Sequence, residues 1–77
     1  MNESPKPSHF VVCLSNRGHR ASLVVRRLYR ALPDPFADAH GMLRVVDESG
    51  EDYLFPARLF AVVELSAGVA AKLERAA

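Results

Sequence analysis

The 77-residue chain has only one cysteine, Cys13. A single cysteine excludes an internal disulfide framework and a structural zinc site built on several thiolates, and it suits a reducing compartment. Long apolar runs are also lacking, because no stretch approaches the roughly 20 residues that a membrane-spanning helix needs. The N-terminus does not show the basic and then apolar order of a secretory signal peptide. These absences lead us to expect a cytoplasmic protein that does not bind membranes.

The sequence also lacks the short motifs that accompany catalysis or nucleotide binding. It contains no G-x-S-x-G nucleophile elbow, no phosphate-binding loop and no dinucleotide fingerprint. The histidines His9, His19 and His40 do not stand four residues apart, as zinc ligands on one helix face do. The acidic run that begins at Asp47 does not have the spacing of an EF-hand loop. We therefore predict that the protein is not an enzyme and uses no metal or other cofactor.

Neither sign of charge predominates, since the formal net charge is only +1. The charges are unevenly placed, however: residues 1–32 contain six basic residues and one acidic residue, whereas residues 33–77 contain four basic and eight acidic residues. This asymmetry predicts an electrically bipolar molecule. With 49% hydrophobic and 25% charged residues, the chain has the composition of one small globular domain.

The clearest local feature is a predicted β-hairpin between Met42 and Phe55. Apolar, β-branched and aromatic residues lead into and out of a run of turn formers, Asp47-Glu48-Ser49-Gly50-Glu51. A type I turn closed by a bulge would place Gly50 at positive φ and Asp47 opposite Glu51. The alternative is a two-residue turn, which would shift the register by one residue and exchange the faces of the exit strand.

The sequence also predicts the strands, helices and tail that lie outside this turn. The apolar run from Phe10 to Leu14 is too short for a helix and is predicted to be the first strand. Residues 42–46 and 52–55 are the two hairpin strands. Asp34 is predicted to cap one helical turn over residues 36–40, which Gly41 closes. Ser66 is predicted to cap a helix over residues 67–75, and residues 1–8 are predicted to be a frayed tail.

Residues 21–32 fit two interpretations. Their apolar side chains fall at helical spacing with arginines opposite, which predicts an amphipathic helix. The alternative is an extended approach over residues 23–25 followed by a strand over residues 28–32, which Pro33 ends because proline donates no hydrogen bond to a ladder. The apolar residues at helical spacing are Ala21, Val24, Val25, Leu28 and Leu32.

A resemblance favours the strand. Residues 23–65 resemble a group of small bacterial and phage proteins with an SH3-like barrel, whose pattern runs L-x-x-G-K-x-Y-x-V, then a strand, a D-x-x-G hairpin, a Tyr-Pro corner and a Phe. Leu23, Tyr29 and Phe60 match this pattern, whereas Arg26 and Arg27 stand where it has Gly-Lys. The resemblance implies that residues 28–32 are strand two, that residues 56–59 form a 3₁₀ turn, and that residues 60–65 are the last strand.

The predicted fold is therefore all-β: a five-stranded SH3-like barrel over residues 9–65, preceded by the tail at residues 1–8 and followed by a short C-terminal helix over residues 66–77. The alternative is an α+β layer in which residues 21–32 are helical. In the barrel, Leu54 is expected to face the core, which would leave Tyr53 and Phe55 on the outer face of their strand.

Two functions of different classes follow. The first is a non-catalytic module that binds a protein or peptide partner, because exposed aromatic patches are typical of association sites. The second is an accessory protein that binds nucleic acid through arginines of residues 17–30, although a near-neutral net charge argues against it. The predicted contact surface of the protein-binding module comprises Tyr29, Tyr53 and Phe55, with Arg44 and Arg58 at its rim. The arginines predicted to bind nucleic acid are Arg17, Arg20, Arg26, Arg27 and Arg30.

Overall fold

A computed structural model of the chain describes residues 9–75. The predicted tail at residues 1–8 and the last two residues of the predicted C-terminal segment lie outside the described residues. The described chain forms five strands, two α-helices and one 3₁₀ helix. In chain order they are β1 (His9–Cys13), β2 (Leu28–Leu32), α1 (Pro35–Ala39), β3 (Met42–Val46), β4 (Asp52–Pro56), η1 (Ala57–Leu59), β5 (Phe60–Val63) and α2 (Ala67–Arg75).

The five strands form one antiparallel sheet in the order β4-β3-β2-β1-β5. The last strand therefore pairs with the first, and η1 carries the chain from one edge of the sheet to the other. The sheet and the C-terminal helix confirm a mostly β fold. The α+β alternative is wrong, because residues 28–32 are strand β2 and residues 14–27 form a loop without a helix.

The core lies on one face of this sheet, where alternate residues of the strands point inward. Leu23 reaches the core from the β1–β2 loop and is fully buried, and Leu59 reaches it from η1. In β2 the buried residues Tyr29 and Ala31 alternate with more exposed neighbours. This period of two is that of a strand and not of a helix. The remaining core residues are Val11, Cys13, Val45, Phe55 and Phe60.

The two helices are capped as the sequence predicts. The Asp34 carboxylate accepts a hydrogen bond from the Ala37 backbone N–H at 3.0 Å, and the Ser66 hydroxyl accepts one from Val69 at 3.2 Å. Helix α2 buries none of its residues, but Leu73 lines a groove with Phe10. No helix within residues 9–75 is long and apolar enough to cross a membrane.

Candidate interaction groove

The β3–β4 turn is the bulged form. The Asp47 N–H donates to the Glu51 carbonyl at 3.0 Å, the Gly50 N–H donates to the Asp47 carbonyl at 3.0 Å, and Gly50 has φ of 86°. The Asp47 carboxylate accepts hydrogen bonds through Oδ1 from the Ser49 N–H and hydroxyl. Asp47 is 6% exposed, so the turn buries one carboxylate group almost completely.

The prediction for the faces of β4 is wrong. Phe55 is 3% exposed and packs in the core, whereas Leu54 is half-buried on the opposite face. The register explains this: Tyr53 lies opposite the fully buried Val45, so Tyr53 and Phe55 share the core face of the sheet. Tyr53 is nevertheless 49% exposed and lies near the start of β4, next to the β3–β4 turn.

Arg44 does not form the rim of an aromatic surface with Tyr53. Arg44 lies opposite Leu54, on the face of the sheet away from Tyr53 and the core. There its Nε donates to Asp34 at 2.7 Å, and its Nη1 donates to Asp52 at 3.0 Å. The hydrogen bond from the Ala37 N–H, and then that from Arg44, lower the pKa of Asp34. Arg44 therefore joins α1 to the hairpin.

Tyr29 is also not a surface residue. It is 6% exposed, its hydroxyl donates to the Glu48 carboxylate, and the same hydroxyl accepts the Val24 N–H at 2.7 Å. Arg27 pairs with Glu48 at 3.1 Å. Burial, and then the hydrogen bond to Glu48, raise the pKa of Tyr29 to about 12. These contacts of Arg27, Tyr29 and Glu48 fasten the β1–β2 loop to the hairpin, and we call them the loop–hairpin clasp.

Further hydrogen bonds shape the β1–β2 loop itself. The Asn16 side-chain amide donates to the Leu23 carbonyl at 3.0 Å, and the Leu23 N–H donates to the His19 carbonyl at 3.0 Å. The loop also joins the hairpin through its backbone, since the Glu48 N–H donates to the Ser22 carbonyl at 3.0 Å. As a result the His19 ring meets the Phe55 ring edge-on, with centroids 5.1 Å apart.

A groove of about 400 Å³ lies between this loop and the hairpin, and we call it the Tyr53 groove. Of the five predicted site residues, Tyr53 and Phe55 line it, whereas Tyr29, Arg44 and the exposed Arg58 of η1 do not. Sequence analysis missed the loop side of the groove, since no local pattern relates residues 19–22 to β4. The lining residues are His19, Ser22, Asp47, Ser49, Tyr53, Leu54 and Phe55.

The charge around the groove is negative. Glu48 and Asp52 pair with Arg27 and Arg44, but within residues 9–75 neither Asp47 nor Glu51 forms a salt bridge. The Tyr53 hydroxyl donates to Glu51 at 2.9 Å. This hydrogen bond, and then the charge of Glu51, raise the pKa of Tyr53, and the charge of Asp47 acts in the same direction.

The described residues do not assemble a metal centre, because no three histidine, cysteine or acidic side chains within residues 9–75 are placed to hold an ion together. Cys13 is 1% exposed, and its thiol contacts the Ser15 carbonyl at 3.4 Å. Burial raises the pKa of this thiol, which opposes formation of the reactive thiolate.

Comparisons of the chain with protein-family models, with curated proteins and with solved structures find no match. The resemblance to small SH3-like barrel proteins stays a prediction.

Proposed function

We propose that the protein is a non-catalytic module that binds a protein or peptide partner in the Tyr53 groove. The observation that carries this proposal is the half-exposed Tyr53 ring in a groove between the hairpin and the β1–β2 loop, two segments that hydrogen bonds join to each other. Tyrosine combines a large apolar contact area with a polar end and loses little conformational entropy on binding, which is why it is enriched at interfaces. The loop–hairpin clasp fixes the two walls relative to each other before a partner binds, and such preorganisation lowers the entropic cost of binding.

We also propose that the sheet curls into the SH3-like barrel that the resemblance implies. Two features support this. The short η1 helix links β4 to β5, and β5 pairs back with β1. In addition, Arg26 has φ of 75° at the position where the SH3-like pattern has glycine, the residue that takes positive φ without steric cost.

Binding of nucleic acid is the second candidate, and one observation favours it. Within residues 9–75, none of Arg17, Arg20 and Arg26 forms a salt bridge, and all three are exposed on the β1–β2 loop. Unpaired arginines on one loop can contact phosphates. The unpaired carboxylates of the adjacent Tyr53 groove would repel the same polyanion, so we rank this function second.

The test compares two exposed aromatic residues. We expect a Tyr53→Ser variant to lose the partners that the immobilised protein recovers from a lysate of its source cells. The matched control is Phe36→Ser, because Phe36 in α1 is 66% exposed and does not line the groove. Thermal melting checks that both variants fold. The proposal predicts that partners survive high-salt washes and that the control retains them.

Two results would contradict the proposal. The first is retention of every partner by a folded Tyr53→Ser variant. The second is recovery of nucleic acid alone, released at moderate salt, since phosphate contacts weaken steeply with ionic strength. The second result would support the arginine loop as the binding surface.

A further inference from the structure

We infer that the Tyr53 groove takes an extended peptide segment that inserts a lysine or arginine side chain between the Tyr53 ring and the Asp47 carboxylate. This inference rests on the proposed function and specifies its ligand. A solvent-accessible carboxylate, an exposed aromatic face and a free sheet edge meet at this groove; the first two favour a cation, and the third favours an extended segment.

The acceptor is Asp47, which lines the groove. Its Oδ1 accepts hydrogen bonds from Ser49, and no hydrogen bond from the described residues reaches its Oδ2. Because no fully buried side-chain oxygen within residues 9–75 lacks a partner, Oδ2 is accessible to solvent and can accept a hydrogen bond from a ligand. A cationic donor suits this oxygen, since charged hydrogen bonds are stronger than neutral ones.

The aromatic face is that of Tyr53. Its hydroxyl is held by Glu51, and the ring is half exposed. The face of an aromatic ring attracts an ammonium or guanidinium group. Glu51, which forms no salt bridge within the described residues, adds a negative charge beside the ring. An anionic ligand would meet the opposite field, because Asp47 is the formally charged residue among those that line the groove.

The free edge is that of β4, which is an outer strand of the sheet. The Asp47 N–H donates to the Glu51 carbonyl, and the Ala57 N–H donates to the Gly41 carbonyl, so both are hydrogen-bonded pairs of the β3–β4 ladder. Because hydrogen-bonded and non-hydrogen-bonded pairs alternate along an antiparallel ladder, Leu54 directs its N–H and carbonyl away from β3. Leu54 also lines the groove, so an extended segment can pair with this edge, as in other cases of strand addition.

The experiment uses two blocked pentapeptides that differ in one side chain. The first has the sequence Thr-Val-Lys-Val-Thr, and in the second norleucine replaces the lysine and removes only its charge. Each is titrated into the ¹⁵N-labelled full chain, and the amide signals of Asp47, Tyr53 and Leu54 are followed. We expect the lysine peptide to shift these three signals and to bind at least about fivefold more tightly than the norleucine peptide.

Variants then assign the charge effect to the groove. Glu51→Gln and Tyr53→Leu are each expected to weaken the lysine peptide about fivefold and to remove most of its advantage over the norleucine peptide. The matched control is Asp38→Asn, which changes the net charge equally but lies in α1, outside the groove. Glu51 and Tyr53 are exposed, so these variants keep the core that Asp47 variants would disturb.

The outcomes separate this inference from the proposed function. Equal affinity of the two peptides would overturn the cationic ligand but leave the groove as a binding surface. An equal effect of Asp38→Asn and Glu51→Gln would show a general field effect and also overturn the inference. If neither peptide shifts the groove signals, the inference fails, while the partner test with Tyr53→Ser still decides the proposed function by itself.

Discussion

Gly50 closes the hairpin in a conformation that other residues adopt at a cost. Its φ of 86° lies in the left-handed region, and a Cβ at this position would meet nothing within 4 Å. The penalty of a substitution is therefore backbone strain and not a clash. We predict that Gly50→Ala lowers the free energy of unfolding by about 1 kcal/mol or more, measured by urea denaturation.

Gly68 provides the control for Gly50. It lies in α2 without a positive φ, and a Cβ there also meets nothing within 4 Å. Gly68→Ala should leave the midpoint unchanged or raise it slightly, because alanine has the higher helix propensity. An equal loss of stability in both variants would refute the assignment of strain to Gly50.

Arg26 presents the opposite case, because a non-glycine residue has φ of 75°. We predict that Arg26→Gly raises the free energy of unfolding by about 0.5–1 kcal/mol, since glycine removes the steric cost of this conformation. The matched control is Arg20→Gly, an exposed loop position without a positive φ. That change should be neutral or destabilising, because glycine increases the entropy of the unfolded chain. The same loss in both variants would contradict the expectation.

At the scale of elements, the loop–hairpin clasp decides how firmly the β1–β2 loop is held. Tyr29→Phe removes the acceptor of the Val24 N–H and the hydroxyl donor to Glu48. Buried groups that lose a partner cost about 1–3 kcal/mol, so we expect a loss of this size in urea denaturation. Tyr53→Phe is the control, since it removes a hydroxyl from an exposed hydrogen bond. It should change stability by less than about 0.5 kcal/mol.

The clasp also predicts a pH dependence. The pKa of Tyr29 is raised from 10.0 to about 12 in the folded protein. A raised pKa means that the unfolded state loses this proton at a lower pH than the folded state does. The stability that the protonated Tyr29 hydroxyl contributes is therefore complete below pH 10 and is lost as the pH rises towards 12. Stability measured across this range should fall less steeply in Tyr29→Phe. Identical slopes for the variant and the parent protein would contradict the role of the clasp.

The elements themselves were largely predictable, because proline, glycine and capping residues mark their ends. Asp34, Gly50 and Ser66 act as the sequence predicts. The faces of β4 were predicted wrongly, although the bulged register that was predicted correctly is enough to assign them. That register places Arg44 opposite Leu54, and a guanidinium group is rarely buried without partners, which marks the Leu54 face as the polar one.

At the scale of the whole molecule, the groove was only half predictable. Tyr53 was expected to be exposed because it was assigned to the outer face of β4, but it lies on the core face and is nevertheless 49% exposed. The opposite wall could not be predicted, because His19 and Ser22 reach the hairpin only after Leu23 fills the core and Tyr29 fastens the loop. The Ser22–Glu48 and His19–Phe55 contacts join residues 26 and 36 positions apart, and no local periodicity encodes such a distance.

The most direct test of the central claim places a photo-crosslinking amino acid at position 53 of the full chain. Irradiation in source cells, followed by mass spectrometry, identifies what lies against the groove. The account predicts a discrete protein or peptide adduct at position 53 and none at position 36, which is exposed to a greater extent. The same adducts at both positions, or adducts to nucleic acid at position 53, would contradict it.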